Sequence, residues 1–152
     1  MEIRDLTKEA VLISEDSTFR DAIALMVSKQ TNSLLVINDD GELSGEVTVS
    51  DLFDAIIPIN VNPEIIESTL GTEAEFGKAV EDAADIEVRD FMTIDVQAVH
   101  VDDPLITIAA TAIAHQTAHI PIVDHDNHPI GIISRRGLKH ILAKYLGIRD
   151  AK

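Results

Sequence analysis

The chain has 152 residues, enough for one domain or two small ones, and its 27 acidic residues against 12 basic give a formal net charge of -15. So acidic a chain avoids nucleic acid and anionic membranes, and an anionic ligand would need local cations to be held. With no cysteine and only 3% aromatic residues, disulfides and thiolate chemistry are excluded and an aliphatic α/β core is expected.

Residues 1–9 form a mixed leader without the basic and apolar regions of a signal peptide. No apolar stretch approaches the roughly 20 residues needed to span a bilayer, and a cytoplasmic location without membrane insertion is expected. Val11-Leu12-Ile13 reads as a short strand. Asp16-Ser17-Thr18 then cap a helix whose apolar stripe is Phe19, Ala22, Ile23, Met26 and Val27. Ser33 to Ile37 is an unbroken apolar run, the mark of a strand buried on both faces. Asn38-Asp39-Asp40-Gly41 supplies a tight turn. Leu43, Val47 and Val49 read as strand, and Ser50 and Asp51 as N-caps of a helix carrying Leu52, Phe53, Ile56 and Ile57. A hydroxyl at Thr48 and a carboxylate at Asp51, beside free helical N–H groups, form a grip for a sugar-phosphate. The hydroxyl and N–H groups would face phosphate, and the carboxylate would accept from ribose hydroxyls.

Pro58 ends that helix. An insert at 58–87 follows, with one helix starting at Asn62-Pro63 and an acidic one from Glu73 to Ala84. It reads as structural filler, with a partner surface as the alternative. Val96 to Val99 reads as a strand; Asp102-Asp103-Pro104 caps a helix with Leu105, Ile108, Ala109 and Ala112 inward. Ile120 to Val123 is a strand in which Pro121 fits only at the beginning or on an edge. After a turn from Asp124 to His128, a helix from Arg135 to Leu146 points Leu138, Ile141, Leu142 and Tyr145 inward and stops at Gly147.

The chain repeats itself. At an offset of 86 (137 minus 51), Gly45 falls on Gly131, Thr48 on Ser134, Leu52 on Leu138 and Gln30-Thr31 on Gln116-Thr117. The repeat covers roughly 10–57 and 96–143 and decides the fold. A unit this small buries too little surface alone, so the halves are expected to share a core.

Gly45-Glu46-Val47-Thr48-Val49-Ser50-Asp51 and Gly131-Ile132-Ile133-Ser134-Arg135-Arg136-Gly137, with His119-Ile120-Pro121-Ile122-Val123-Asp124, carry a resemblance to the CBS domain, named after cystathionine β-synthase. The chain resembles a tandem CBS pair. That implies an α/β (α+β) fold of two β-α-β-β-α units related by a pseudo-two-fold axis. The division expected is 1–57 for the first unit with its leader, 58–87 for the helical insert and 88–152 for the second unit. In such pairs the leader often packs across onto the other half. The resemblance further implies a regulatory module that binds an adenosine nucleotide (AMP, ADP or ATP, with S-adenosylmethionine as a further candidate) and modulates a partner protein. It implies a disc-shaped homodimer as well. The alternative is a module without ligand that dimerises and presents the insert.

In that family the Thr or Ser contacts phosphate and the Asp binds ribose, which here are Thr48, Ser134 and Asp51. The resemblance also places Leu12, Ser33, Leu34, Thr93, Val96, His119, Ile120, Pro121, Arg135 and Arg136 at the nucleotide. Three positions depart from the pattern. Gly137 replaces the second ribose-binding Asp, forfeiting roughly 1.5–3 kcal/mol of charge-assisted hydrogen bonding. Leu35 stands where Pro is usual, and Glu46 where an apolar residue is usual.

Each site residue has a plainer reading. Thr48 and Asp51 would cap a helix with no ligand at all. Arg135, Arg136, Lys139 and Lys144 form a basic cluster that either solvates a helix face or offers cations to phosphate. Two arginines at a helix start oppose the macrodipole, a cost that bound phosphate would offset. All six histidines (His100, His115, His119, His125, His128, His140) lie in the second half without recognised metal spacing, so packed or solvated roles are expected and no metal. Neither a phosphate loop nor a nucleophile elbow is present, and no catalytic residue is assigned.

Overall fold

The computed structural model of the chain describes residues 3–57, 71–115 and 119–148. In chain order the first elements are α1 (Ile3–Leu6), β1 (Leu12–Ser14), α2 (Phe19–Lys29), β2 (Ser33–Ile37), β3 (Leu43–Thr48), α3 (Val49–Ile56), α4 (Glu73–Ala83) and α5 (Val88–Phe91). They are followed by β4 (Val99–His100), α6 (Leu105–His115), β5 (His119–Val123), β6 (Pro129–Ser134), a 3-10 turn (Arg135–Leu138) and α7 (Lys139–Tyr145). Contacts group the chain into two compact units: residues 11–40 with 44–94, and residues 1–10, 41–43 and 95–152.

The unit of 11–40 and 44–94 holds the sheet β1-β2-β3, with β1 and β2 parallel and Leu12 opposite Leu35. The central strand β2 buries Leu34, Leu35 and Val36, as its unbroken apolar run predicts. Thr18 caps α2 through a reciprocal box: its hydroxyl accepts from the Asp21 N–H at 3.2 Å and the Asp21 carboxylate accepts from the Thr18 N–H at 3.0 Å. The expected stripe then buries Phe19, Ala22 and Met26, while Val27 stays exposed. Phe19 meets Phe91 edge to face at 5.7 Å.

From the insert, α4 packs Val80 and Ala83 against the same core, and Phe76 stacks on Phe53 of α3 at 6.5 Å. The helix expected at Asn62-Pro63 lies outside the described residues.

The cap of α3 is not where the sequence puts it. Thr48, in extended conformation, is the N-cap, and Val49, Ser50 and Asp51 are already helical. Asp51 stands three residues past the cap, where its carboxylate returns to the cap N–H, the same reciprocal box that starts α2.

The second unit holds the sheet β4-β5-β6, with β4 parallel and β6 antiparallel to β5. The expected strand Val96 to Val99 is reduced to Val99–His100, which lies opposite only Ile122 and Val123. That shortness resolves Pro121. It sits in the middle strand, paired to Ile132 on one side, at a level β4 does not reach. The missing N–H therefore breaks no ladder. The expected helix from Arg135 begins instead as a 3-10 turn, with α7 starting at Lys139. Gly137, a poor helix former, lies in that turn, and its N–H is held by the Ser134 hydroxyl at 3.1 Å.

Each unit has its own cluster of buried apolar residues. Within the units, the repeats exchange their leaders. Thr93, at the end of the segment leading into the second repeat, pairs antiparallel with Glu46 of β3, each N–H donating to the other carbonyl at 2.9 Å. Lys8, in the leader of the first repeat, pairs likewise with Ile132 of β6, at 2.7 and 2.9 Å. Glycine precedes the paired residue in both strands. A methyl on Gly45 would lie 2.7 Å from Met92 Sδ and 2.9 Å from the Thr93 carbonyl, and one on Gly131 would overlap the carbonyl of Lys8.

Candidate functional site

The exchange brings Thr93 to Asp51. The Asp51 Oδ2 accepts from the Thr48 N–H at 2.8 Å and from the Thr48 hydroxyl at 3.1 Å, and its Oδ1 accepts from the Thr93 hydroxyl at 2.8 Å. A carboxylate has about four acceptor positions, so one remains on Oδ1. Thr48 and Thr93 each spend their one hydroxyl proton on Asp51. The Thr48 oxygen also accepts from the Asp51 N–H at 3.4 Å. Contact between the Thr48 hydroxyl and a phosphate therefore requires that proton to turn away from Asp51.

Glu46 belongs to this cluster although the sequence analysis did not place it there. It lies two residues before Thr48 on β3, hence on the same face. It is also the cross-strand partner of Thr93, and residues so paired project to the same face. Partial burial, and secondarily the Asp51 charge, push its carboxyl above the ordinary 4.5. The available signal was the acidic residue at an apolar position.

The other expected residues of this unit are less united. Leu12 is 40% exposed on β1 and Ser33 half-buried on β2. Leu34 is 1% exposed, so its side chain serves the core and only its backbone remains to meet a ligand.

In the other unit His119 and Ser134 are paired across β5 and β6, so they share a face. Ile120 and Pro121 are buried beside them, and Val96 is half-buried ahead of β4. Burial, and then the charge of Lys8, lower the pKa of His119 below 6.5. Lys8 was missed by the sequence analysis; its signal was its place in a leader equivalent to the one ending at Thr93. The Ser134 hydroxyl caps the turn through the Gly137 N–H, and no carboxylate stands at 137. Arg135 and Arg136 are exposed. They start a four-residue 3-10 turn rather than a full helix, so the argument from an opposing macrodipole loses its force.

Two further features stand apart from the Asp51 cluster. A cavity of about 410 Å³ opens beside α2 and α3, lined by Ile23, Met26, Val27, Gln30, Val49 and Leu52 among others. Its lining is mainly apolar and includes none of the cluster residues, so the recognition chemistry lies with the cluster. Asp124, Asp126 and His128 bring potential ligand atoms within 4.8 Å of one another. One Asp124 oxygen there accepts from the backbone N–H groups of Asp126 and His128, both at 2.9 Å, which is the bonding of a turn.

A profile of the CBS domain matches residues 3–58 and 88–144, both repeats with their leaders. The chain belongs to the CBS domain family. It is a tandem CBS pair. A relative in Methanocaldococcus jannaschii, the uncharacterized protein MJ1426, is 29% identical over 91% of this CBS pair and 89% of that protein. A homoserine O-acetyltransferase of Methanocorpusculum labreanum is 30% identical over 91% of this chain, which there spans only 23% of the enzyme. Among solved structures, the CBS-pair protein CBSX2 of Arabidopsis thaliana superposes with a TM-score of 0.73 at 22% identity, covering 97% of this chain and 98% of that one. The same protein in complex with AMP superposes with a TM-score of 0.68, covering 95% and 98%. No helix among the described residues is long and apolar enough to cross a membrane.

Proposed function

We propose that this CBS pair is a regulatory module, not an enzyme, which binds an adenosine ligand at its first repeat and thereby modulates a partner protein. The observation that carries the reading is the Asp51 carboxylate. It is fixed by Thr48 and Thr93 from two segments far apart in sequence, with one acceptor position left on Oδ1. A carboxylate so oriented can accept from one of the paired hydroxyls of a ribose. The AMP complex of the similarly folded CBSX2 supports an adenosine ligand. The match to a quarter of a larger acetyltransferase supports a role attached to other proteins.

Equilibrium dialysis of the full chain against AMP, ADP, ATP and S-adenosylmethionine tests the reading. Saturable binding of at least one of them is expected, and binding of none overturns it. A ligand-free interaction module is the second reading. Gly137, which leaves Ser134 without a neighbouring carboxylate, favours it for the second repeat.

A further inference from the structure

We propose that Glu46 is a specificity-determining residue of the Asp51 site, turning it against polyphosphate and toward adenosine ligands that are neutral or cationic beyond the ribose. The inference rests on the adenosine reading above and names the ligand class within it.

Four observations carry it. Glu46 shares a face with Thr48 along β3 and with Thr93 across the bridge, which places its carboxylate beside that of Asp51. The hydroxyl protons of Thr48 and Thr93 are both spent on Asp51, so the side chains of the cluster offer acceptors outward and no donors. Among the described residues neither Glu46 nor Asp51 forms an ion pair with a lysine or arginine; Arg89 of the same unit is taken by Asp16 and Glu87. The N–H groups that open α3 would draw an anion, but Asp51 in the first turn already answers that partial positive charge.

Two carboxylates and spent hydroxyls complement a ligand rich in donors, such as ribose hydroxyls or a sulfonium or ammonium group. A triphosphate brings like charge to the same place, and like charges set together are strongly disfavoured. Burial first, and the Asp51 charge second, raise the carboxyl pKa of Glu46.

The test is calorimetric titration of the full chain and of Glu46→Gln with adenosine, ATP and S-adenosylmethionine. The Asp51→Asn variant identifies which binding event belongs to this site. Wild type should bind adenosine and S-adenosylmethionine ahead of ATP. Glu46→Gln should raise ATP affinity relative to adenosine about tenfold, the scale of one like-charge contact in a partly solvated site, and lower S-adenosylmethionine relative to adenosine. Added salt should narrow the gap between ATP and adenosine more in wild type than in Glu46→Gln, because screening weakens the repulsion. Loss of binding in equal proportion for all three would mark Glu46 as merely structural and overturn the proposal, as would unchanged ratios. If no compound binds to either protein, the adenosine reading fails, and this inference with it.

Discussion

Asp51 closes the capping box of α3 and anchors Thr93 with one carboxylate, so its removal is felt in stability as well as in binding. Asp51→Ala is expected to weaken adenosine-ligand binding by about 1.5–3 kcal/mol, the range for hydrogen bonds to a charged group. Loss of the carboxylate's half of the capping box costs about 1 kcal/mol in addition, while the Thr48 hydroxyl still caps the helix. Dialysis paired with urea denaturation separates the two effects, and a folded variant of unchanged affinity would remove ribose recognition from Asp51. Glu46 makes a prediction in pH. Its carboxyl is held above 4.5 in the folded chain, first by burial and then by Asp51. The folded state therefore binds this proton more tightly than the unfolded state. The group's contribution to stability is greatest with the proton on and is lost as pH rises through the window above 4.5. Glu46→Gln should raise the urea midpoint relative to wild type at pH 7 and bring less advantage at pH 4; an advantage independent of pH would exclude this ionisation as its source. His119 has the opposite sign, since its lowered pKa makes it destabilising as pH falls below 6.5.

At the scale of elements, the glycine before each exchanged leader is where a small change does most. Gly131→Ala puts a methyl against the Lys8 carbonyl, and overpacking of that kind costs about 1–3 kcal/mol. The expected signature is local: faster amide exchange at Lys8 and Ile132, with the Glu46–Thr93 pair unaffected. Uniform loss of protection in both units would mean that the leader is not the point of failure. Much at this scale was legible in the sequence. The stripe of Phe19, Ala22 and Met26 has one period and one buried face, and β2 has no polar interruption. The cap of α3 was misplaced because Thr48, Ser50 and Asp51 are all good capping residues. The choice among them follows from how β3 ends and from the box Asp51 makes with Thr48. In the same way, the length of β4 is set by its pairing, which reaches only Ile122 and Val123 of β5. The site was legible in part. Thr48, Asp51 and Thr93 were named from their motifs and do converge, but a convergence spanning 42 residues is a tertiary fact that spacing does not carry. Glu46 was visible only as an anomaly.

On the scale of the whole molecule, exposed apolar residues remain on several helices: Val27 of α2 at 72%, Phe53 of α3 at 47%, Ile113 of α6 at 72% and Tyr145 of α7 at 76%. The family resemblance implies a homodimer, and we propose that these exposed side chains contribute to its interface. Sedimentation equilibrium should show a dimer at roughly tens of micromolar, a concentration suited to an interface of standard size. Val27→Glu should shift it toward monomer while leaving the chain folded; a monomeric wild type would count against the assembly. Added salt should favour association, because each chain carries a formal charge of -15. The exchanged leaders bear on ancestry as well. A solitary ancestor of the repeat would have carried a bare strand beside its glycine and a leader with no partner. Two copies of such an ancestor would satisfy both needs only by lending each other their leaders. Fusion of the two genes would keep that trade and make it permanent within one chain. The two copies now differ at the matching position, with a carboxylate at Asp51 in one and none at Gly137 in the other.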